Sequence, residues 1–438
     1  MKILVIGSGG REHTMVWKLA KSGLTGKIWA APGNGGSARE DKTENFPMEE
    51  DPASEEGQRV LLEFAKKEKI DLTVVGPEAP LAAGIADLFR AEGLPVVGPG
   101  KAAALLESSK VYSKGFMARH GVRTAVSRSF SDSAGAVAYS KECFEKRGSR
   151  PLVIKADGLA AGKGVVIVAT QEEAAECLGS FLDRASLSEA GKNVVIEEFL
   201  EGREVSVLAA VSVGSGRKGV ILPFIPARDH KSRFEGGKGP NTGGMGSIAP
   251  VPDFDSAAFA DFQKSVLLPT LKGMEEDKIE YEGFIFFGLM VVNDECYLLE
   301  YNVRLGDPET QAVLPLMDSD FAALCLSILD GSLGSFNLAW KDKFSCAPVA
   351  VADGYPGAYR KGDQITIDGE GLKKSGAKVF AAGVQKKAEG LYTSGGRVLA
   401  VSALGDSAEE ARFNAYNALG CVKFEGMDYR KDIGQEKK

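Results

Sequence analysis

The sequence predicts a multidomain protein of combined α/β and α+β type, with an N-terminal parallel α/β domain, a central α+β region and a small C-terminal α+β domain. Strand and helix patterns alternate through roughly the first hundred residues, which is typical of a parallel sheet covered on both faces. Longer apolar strand patterns follow, separated by polar, glycine-rich segments. Beyond about Gly334 the pattern changes to short strands and one further helix.

The composition is that of a soluble globular protein and excludes several functional classes. The chain has 438 residues, 44% hydrophobic and 26% charged, and its net charge of −7 argues against general binding to nucleic acid or membrane surfaces. Its 6 cysteines form no Cys-x-x-Cys pair and it has 3 histidines, so we expect reduced thiols in a cytoplasmic protein without a zinc site. The longest apolar run, Phe284–Val292, is too short to cross a membrane.

The N-terminal strands end in glycine-rich turns that predict a ligand site. The first strand, Ile3–Ile6, runs into GSGGREH, and a helix pattern follows through Leu19. This turn is similar to that of dinucleotide-binding folds, but its sixth position is Glu12 and no acid ends the second strand, Ile28–Ala31. The turn therefore predicts a phosphate-bearing ligand and argues against an NAD-dependent oxidoreductase. The domain's further elements are helices at Val60–Lys67 and Leu81–Ala91 and strands at Leu72–Val75 and Val96–Val97.

The central region is expected to begin with a helix at Lys101–His120. Its segment from Arg228 to Gly246 is long, polar and rich in glycine, which predicts a functional lid or a disordered loop. The other central elements are a helix at Asp132–Glu145 and strands at Pro151–Ala156, Val194–Phe199, Phe284–Val292 and Cys296–Asn302. The C-terminal elements are strands at Val349–Val351, Gln364–Ile367, Lys378–Ala382 and Arg397–Ala403 and a helix at Ser407–Leu419.

A lysine at the end of an apolar strand is the first candidate for chemistry. Lys155 lies in IKADGLAAGKGV, where an unpaired ammonium would be costly to bury, so it needs an anionic ligand or an extended path to the surface. The glycine-rich tip that follows, from Gly158 to Gly164, has the conformational freedom to fold its backbone N–H groups over a triphosphate.

A polar face on a second strand is the stronger candidate. In LLEYNVRLGDPETQ, Glu300 and Asn302 alternate along the strand and share one face, and Arg304 joins them if the strand continues. A carboxylate and an amide suit a hard cation that bridges phosphates, and a guanidinium suits the charge of a transition state. The alternative is a solvated edge face, which the apolar neighbours disfavour. The remaining histidines are expected to be structural, with His120 on a helix surface and His13 capping or packing.

The motifs together resemble the ATP-grasp ligases, and among them the glycinamide ribonucleotide synthetase family. The resemblance runs along the whole chain in GSGGREH, APGNGG, VGPEAPLAAG, IKADGLAAGKGV, EEFLEG, ARDHK, GPNTGGMG, LEYNVRLGDPETQ, SGGRVLAVSALGD and FEGMDYRKDIG. It implies an N-terminal α/β domain at 1–104, an ATP-grasp pair of α+β subdomains at 105–333 and a C-terminal α+β domain at 334–438. It also implies that a subdomain at about 122–196 is mobile.

The resemblance implies a reaction in which ATP activates glycine as glycyl phosphate, and the amine of 5-phosphoribosylamine then displaces phosphate. This is the second step of de novo purine biosynthesis. ATP is a substrate, and Mg²⁺ or Mn²⁺ is the implied cofactor. The partners are small molecules, without nucleic acid or membrane, in a cytoplasmic monomer or weak homodimer.

The resemblance also implies a role for individual residues. The implied ATP-binding residues are Lys110, Lys155, Gly158, Gly162, Lys163, Gly164, Glu197, Glu198, Phe199, Leu200 and Glu204. The implied metal ligands are Glu300 and Asn302, and the implied catalytic residues are Arg304 and Lys155. The implied substrate-binding residues are Gly9, Gly10, Arg11, Asn34, Gly35, Gly36, Glu78, Asp229, His230, Lys231, Asp307 and Glu309.

Several positions depart from the pattern of that family. Ser232 stands where the family commonly has arginine, with Arg233 one place later, and Asp428 stands where histidine is frequent. Two alternatives remain beside this interpretation. One is another purine-pathway ATP-grasp enzyme, which GPNTGGMG and GDPETQ disfavour, and the other is a non-catalytic nucleotide-binding protein, which the Glu300–Arg304 face disfavours.

Overall fold

The computed structural model describes residues 1–147, 150–159, 164–183 and 192–435. Within these residues no helix is both long and apolar enough to cross a membrane.

The N-terminal region is a parallel sheet with strand order β3-β2-β1-β4-β5, as the alternating pattern predicts. Its elements are β1 (Lys2–Gly7), α1 (Gly10–Ala20), β2 (Lys27–Pro32), β3 (Thr43–Asn45), α2 (Glu55–Glu68), β4 (Leu72–Val75), α3 (Glu78–Ala83), α4 (Ile85–Ala91) and β5 (Val96–Val97). The single helix expected at Leu81–Ala91 is wrong. Gly84 adopts a φ of 100°, a left-handed conformation that ends α3 and starts α4.

The helix expected at Lys101–His120 is also divided, into α5 (Lys101–Ser108) and α6 (Lys110–His120). Ser109 is extended, and its Oγ accepts a hydrogen bond from the Tyr112 N–H at 3.1 Å, which caps α6. The next sheet has the order β6-β9-β7-β8 and packs against two helices. Its elements are β6 (Ser127–Phe130), α7 (Ser133–Arg147), β7 (Leu152–Ala156), β8 (Val165–Val168), α8 (Gln171–Leu178) and β9 (Val194–Glu198).

A second central sheet, of order β11-β10-β16-β17, faces the first across a cavity. Its strands are β10 (Arg203–Val213), β11 (Val220–Pro223), β16 (Tyr281–Val292) and β17 (Glu295–Asn302). A shift of register between Gly288 and Leu289 places Gly288 opposite Glu300 and leaves Leu299 without a direct partner on β16. The strands between β11 and β16 are β12 (Arg228–Asp229), β13 (Ser232–Phe234), β14 (Lys238–Asn241) and β15 (Gly246–Ala249), and the helices are α9 (Ser256–Phe262) and α10 (Leu268–Glu276).

The glycine-rich segment from Arg228 to Gly246 is therefore not the structureless loop that its composition suggested. β13 pairs with β14, and β12 and β15 join a sheet of order β12-β15-β18-β23-β20. That sheet is shared with the C-terminal part of the chain. The remaining elements are α11 (Glu309–Val313), α12 (Phe321–Asp330), β18 (Phe344–Val351), β19 (Gln364–Ile367), α13 (Gly369–Ser375), β20 (Lys378–Ala381), β21 (Val384–Lys387), β22 (Gly390–Thr393), β23 (Arg397–Gly405), α14 (Ala408–Leu419) and β24 (Val422–Lys423).

The two ends of the chain contact each other through a buried histidine. The His13 Nδ1 accepts a hydrogen bond from the Ala381 N–H at 2.7 Å, and its Nε2 lies 2.9 Å from Glu40 Oε1. Lys378 pairs with the same Glu40 oxygen at 2.6 Å. Burial lowers the pKa of His13, so the neutral ring holds the N-terminal sheet against β20. This confirms a packing role for His13.

Candidate active site

The two central sheets enclose a cavity of about 550 Å³, here called the inner cavity. Most of the site residues that the sequence nominated line it. They are Glu78, Lys110, Lys155, Gly158, Gly164, Glu197, Glu198, Phe199, Leu200, Glu204, Asp229, Lys231, Glu300, Asn302, Arg304, Asp307 and Glu309. Strands from both sheets thus direct charged side chains of both signs into one space.

Glu300 and Asn302 lie on the same face of β17, as strand alternation predicts. The condition on which strand parity would have placed Arg304 on this face is not met, because β17 ends at Asn302. Arg304 nevertheless returns to this face and donates from Nη2 to Asn302 Oδ1 at 3.1 Å. Burial raises the pKa of Glu300, but Lys231, Lys110, Lys155 and Arg304 outweigh it and hold the pKa at about 2. Glu300 is therefore a fixed anion.

The pair of oxygen ligands fits a hard divalent cation that is shared with phosphate groups. Glu300 supplies a charged carboxylate and Asn302 a neutral amide oxygen. Among the described residues no three His, Cys, Asp or Glu side chains converge on one cation position. A site with few protein ligands suits Mg²⁺, which keeps several waters and takes phosphate oxygens for the rest of its coordination shell.

Lys155 has an internal partner, which the sequence did not predict. Its Nζ lies 3.1 Å from Glu197 Oε1 and donates to the Leu299 carbonyl at 3.1 Å. The other Glu197 oxygen lies 3.2 Å from Lys114 Nζ, and all three side chains are buried. Burial lowers the pKa of Lys114 to about 8, although Glu197 opposes the shift. This Lys–Glu–Lys cluster fixes Lys155 at the wall of the inner cavity.

Two further acids line the inner cavity and interact electrostatically. Glu309 is buried and Asp229 is half-buried, and desolvation and the Glu309 charge raise the pKa of Asp229 well above its usual range. Burial also raises the pKa of Glu309, whose Oε1 accepts a hydrogen bond from Ser206 Oγ at 2.9 Å. Asp229 Oδ1 is buried and has no hydrogen-bond partner among the described residues. The pair therefore suits a cationic group that supplies the missing donors.

The charge of Arg304 is balanced by two acids. Its Nε lies 3.1 Å from Glu78 Oε2 and its Nη2 lies 3.2 Å from Glu107 Oε1. Glu78 also lies 3.9 Å from Arg11, so it links the inner cavity to the first helix of the N-terminal sheet. Burial raises the pKa of Glu107, while Arg304 and Arg11 hold the pKa of Glu78 low against the effect of burial.

A second cavity of about 820 Å³, here called the outer cavity, lies between the two ends of the chain. The predicted residues Gly9, Asn34, Gly35 and Asp307 line it. Its other wall is formed by 382–386 and 394–395, together with Tyr355 and Arg397. Asn34 connects the walls, because its Nδ2 donates to the Ser8 and Ala381 carbonyls, both at 2.8 Å.

Some predicted site residues lie elsewhere. Gly10, Arg11, Gly36 and His230 line neither cavity. His230 lies behind the wall, where Nδ1 donates to the Gly246 carbonyl at 3.2 Å, and burial lowers its pKa to about 4. Gly162 and Lys163 lie outside the described residues.

The expectation that His120 lies on a helix surface is wrong. Its side chain is 7% exposed, and Nδ1 lies 3.0 Å from Glu276 Oε2. A Cβ at Gly273 would lie 2.6 Å from the His120 ring, so a glycine on α10 makes room for it.

Several residues of these sites were not predicted from the sequence. Glu107 and Lys114 lie on helices that had no assigned function, and Lys386 and Arg397 belong to the C-terminal part. Arg397 lies in the SGGR motif, and the glycines of this motif were the signal from which Arg397 could have been predicted as a site residue. The departure at Ser232 has a local counterpart, because the buried Arg233 pairs with Asp428 at 2.6 Å.

Comparisons with known proteins agree with this architecture. A solved phosphoribosylamine–glycine ligase from Thermotoga maritima superposes with a TM-score of 0.82 at 38% identity, covering 99% of this chain and 100% of the other. A biotin carboxylase from Campylobacter jejuni has the same fold, with a TM-score of 0.72 at 14% identity over 99% of this chain and 94% of the other. Fold and inner cavity thus define a protein of the ATP-grasp class.

Family models identify the branch of that class. Models described as the N domain, the ATP-grasp (A) domain and the C domain of phosphoribosylglycinamide synthetase match residues 1–107, 108–310 and 345–436. A phosphoribosylamine–glycine ligase from Clostridium acetobutylicum is 49% identical over 438 residues, which is 100% of both chains. The chain belongs to the phosphoribosylglycinamide synthetase family, which confirms the resemblance seen in the sequence.

Proposed function

We propose that this chain ligates glycine to 5-phosphoribosylamine at the expense of ATP, giving glycinamide ribonucleotide, ADP and phosphate in purine biosynthesis. Family membership over the whole chain supports this activity. The observation that carries it is the Glu300–Asn302–Arg304 face, which lies in one cavity with Lys110 and Lys155. A carboxylate of glycine is a poor electrophile, and transfer of phosphate to it creates a leaving group.

ATP occupies the inner cavity in this proposal. Lys110 and Lys155 hold its phosphates, 197–200 receive the adenine where β9 ends, and Glu204 binds the ribose. Gly158 and Gly164, which line the cavity, flank the glycine-rich tip that the family resemblance assigns to the phosphates. Because Glu197 pairs with both Lys155 and Lys114, its side chain orients the phosphate-binding lysine.

Glu300 and Asn302 are the proposed metal ligands, with Mg²⁺ or Mn²⁺ as the cation. When bound, such a cation neutralises phosphate charge and aligns the transferring group. Arg304 contributes a planar cation beside these ligands, and its contacts with Glu78 and Glu107 fix its orientation before substrate binds. Lys155 and Arg304 are therefore the proposed catalytic cations.

Glycine is placed at the acid pair of the inner cavity. Its ammonium group supplies donors to Asp229, whose Oδ1 has no hydrogen-bond partner among the described residues, and to Glu309. Lys231, which lies 3.2 Å from Glu204, is the adjacent cation for the glycine carboxylate. His230 has a structural role in this proposal, because it does not line the inner cavity and its Nδ1 instead donates to the Gly246 carbonyl.

The outer cavity receives phosphoribosylamine. Gly9, Asn34 and Gly35 line this cavity next to the C-terminal wall, and their small or amide side chains leave space for a sugar phosphate. Gly10, Arg11 and Gly36 support the turn without lining it, and Glu78 connects the turn to Arg304. The site therefore needs both ends of the chain.

We also propose domain boundaries at 104/105 and 333/334 and a mobile subdomain at about 122–196. Across the second boundary, β12 and β15 share a sheet with β18. All six cysteines, at 143, 177, 296, 325, 346 and 421, are free thiols, which supports a reducing, cytoplasmic location. The proposed assembly is a monomer or weak homodimer.

The test is ADP release by the full chain with freshly formed phosphoribosylamine. ADP is expected when ATP, glycine, a divalent cation and phosphoribosylamine are all present, with glycinamide ribonucleotide in equal amount. Omission of glycine or phosphoribosylamine abolishes product formation. Equal turnover with bicarbonate or formate in place of glycine would contradict the proposal.

A further inference from the structure

The inner and outer cavities meet at Asp307, which is the residue common to both among the described parts of the chain. Its Oδ1 accepts a hydrogen bond from Gln311 Nε2 at 2.9 Å and lies 3.3 Å from Arg397 Nη2. The charge and the backbone N–H of Arg11 also lower the pKa of this carboxyl. Any group that reaches from one cavity into the other therefore passes the Asp307 carboxylate.

The polarity at this point does not suit a phosphate. The start of α1 offers N–H groups of the kind that bind anions, but the Gly9 N–H already donates to Glu12 Oε2 at 2.6 Å, and a Cβ at Gly9 would lie 3.3 Å from Asp307 Oδ2. A phosphate placed here would face two carboxylates. A ligand group next to Asp307 is therefore a hydrogen-bond donor, such as an amine.

A suitable partner for the phosphate lies elsewhere in the outer cavity. Lys386 and Arg397 are the cations that line this cavity in the described chain, and Arg397 is already paired with Asp307. Lys386 is exposed, and its backbone adjoins Gly35, where an added Cβ would lie 3.1 Å from the Lys386 backbone nitrogen. A sugar phosphate bound to the Lys386 side chain would share the outer cavity with Asp307.

Arg397 fixes the Asp307 carboxylate. Its Nη1 donates to the Asp307 carbonyl at 2.9 Å and to the Gly243 carbonyl, while its Nη2 pairs with the Asp307 carboxylate. Gly243 lines the inner cavity, so Arg397 connects the walls of both. Burial raises the pKa of Asp307, but Arg397 and Arg11 outweigh burial and keep the carboxylate ionised.

We propose that Asp307 is a catalytic residue that holds the amine of phosphoribosylamine against the glycyl phosphate and accepts its proton, and that Arg397 is its positioning residue. This inference rests on the proposed function. The nitrogen lone pair forms the C–N bond, and the bond between the acyl carbon and the phosphate oxygen breaks with its electron pair leaving on phosphate. The nitrogen loses one proton to Asp307, which passes it to the departing phosphate.

The test compares Asp307→Asn with the wild type in the full chain. The asparagine keeps the shape but cannot accept the proton, so kcat with freshly formed phosphoribosylamine falls at least about 100-fold, within the usual contribution of general base catalysis. The Kd for ATP, measured by calorimetry, stays within about twofold. The matched control is Asp406→Asn, an exposed acid that pairs with Lys343 and retains wild-type kcat.

Two variants of Arg397 separate positioning from folding. Arg397→Lys keeps the charge and recovers at least tenfold in kcat over Arg397→Met, while the Kd for ATP is the same in both. A kcat for Asp307→Asn within threefold of wild type overturns the proposal. The proposal is also overturned if Asp307→Asn and Arg397→Lys lose affinity for ATP to the same extent. Failure of the proposed function itself is distinct, because the wild type would then form no product.

Discussion

The inner and outer cavities are built in opposite ways. The inner cavity is formed by charged side chains from neighbouring strands, and each charge is held by others, as Lys155 is by Glu197 and Arg304 by Glu78 and Glu107. The outer cavity is formed mostly by backbone and small residues from the two ends of the chain, with Asp307 and Arg397 between them. In the proposed reaction, phosphate transfer takes place in the inner cavity and the sugar phosphate is bound in the outer one.

This difference determines how each cavity responds to substitution. Removal of one charge from the inner cavity also leaves its partners buried without compensation, which is costly in addition to the lost function. A change at a glycine or at Lys386 in the outer cavity alters the space or one contact available to the proposed sugar phosphate, and leaves the charge network of the inner cavity intact. The two cavities are therefore separable by experiment.

The largest expected effect comes from the proposed metal-binding face. Glu300→Ala removes the fixed anion of the inner cavity, and turnover is expected to fall at least about 1,000-fold, because metal assistance contributes several kcal/mol to the transition state. Nucleotide binding should weaken when Mg²⁺ is present and not in EDTA. The measurements are steady-state ADP release and calorimetric titration with ATP.

The control for this variant is Glu295→Ala, an acid on the same strand whose side chain is 56% exposed. It should retain wild-type turnover. If Glu300→Ala leaves the Mg²⁺ dependence of the rate unchanged, the metal assignment is wrong.

The next effect is at Arg304. Arg304→Lys keeps a cation beside Glu78 and Glu107 but loses the planar set of donors, so kcat is expected to fall by about 100-fold, the usual effect of removing one donor to developing charge. The Kd for ATP should change less than threefold. Arg203→Lys, at an exposed surface pair with Asp294, is the control. A variant that loses ATP binding and keeps its kcat would refute the transition-state role.

The inner cavity was more predictable from the sequence than the outer one, for a physical reason. Strand alternation is local, so Glu300 and Asn302 could be assigned to one face without the fold. The outer cavity joins residues near Gly9 to residues near Lys386, and no local pattern reports contacts over that distance. The C-terminal wall of the outer cavity also contributes backbone groups, and these produce no recognisable side-chain pattern in the sequence. Glu107 was missed because a buried acid on a helix has no motif of its own.

The fold was likewise predictable from local patterns and not from long-range contacts. The parallel sheet was predicted because apolar strands alternate with helices, whereas the helix breaks at Gly84 and Ser109 were missed because local turn chemistry prevailed over the apolar pattern. The segment 228–246 appeared loop-like because its short strands pair with β18 and with each other, contacts that its polar composition does not indicate. The predicted domain boundaries and ligand roles stay predictions.

Titration of His230, behind the wall of the inner cavity, is expected to make the stability of the protein depend on pH without altering either cavity. His230 has a folded pKa of about 4, because burial and then Arg430 disfavour its charged form, against about 6.5 for the unfolded chain. Protonation of His230 therefore favours unfolding. The resulting loss in the free energy of unfolding is absent above pH 6.5, grows as the pH falls to 4 and reaches on the order of 3 kcal/mol. His230→Gln should make the fall in free energy of unfolding shallower over this window, measured by urea titration. Equal slopes in both proteins would contradict it.

The most direct test of the division between cavities is Lys386→Ala, with two constants measured on one protein. Lys386 is exposed and has no ion pair among the described residues, so its loss spares the fold. The matched control is Lys387→Ala, because alternation on β21 turns Lys387 to the other face, where its Nζ lies 4.8 Å from the Tyr392 ring.

We expect Lys386→Ala to raise the KM for phosphoribosylamine about tenfold or more, since a charge-assisted hydrogen bond to phosphate contributes about 1.5–3 kcal/mol. The Kd for ATP stays within about twofold, and Lys387→Ala leaves both constants unchanged. An unchanged KM for phosphoribosylamine in Lys386→Ala, or a loss of ATP affinity equal to the change in KM, would contradict the assignment of separate substrates to the two cavities.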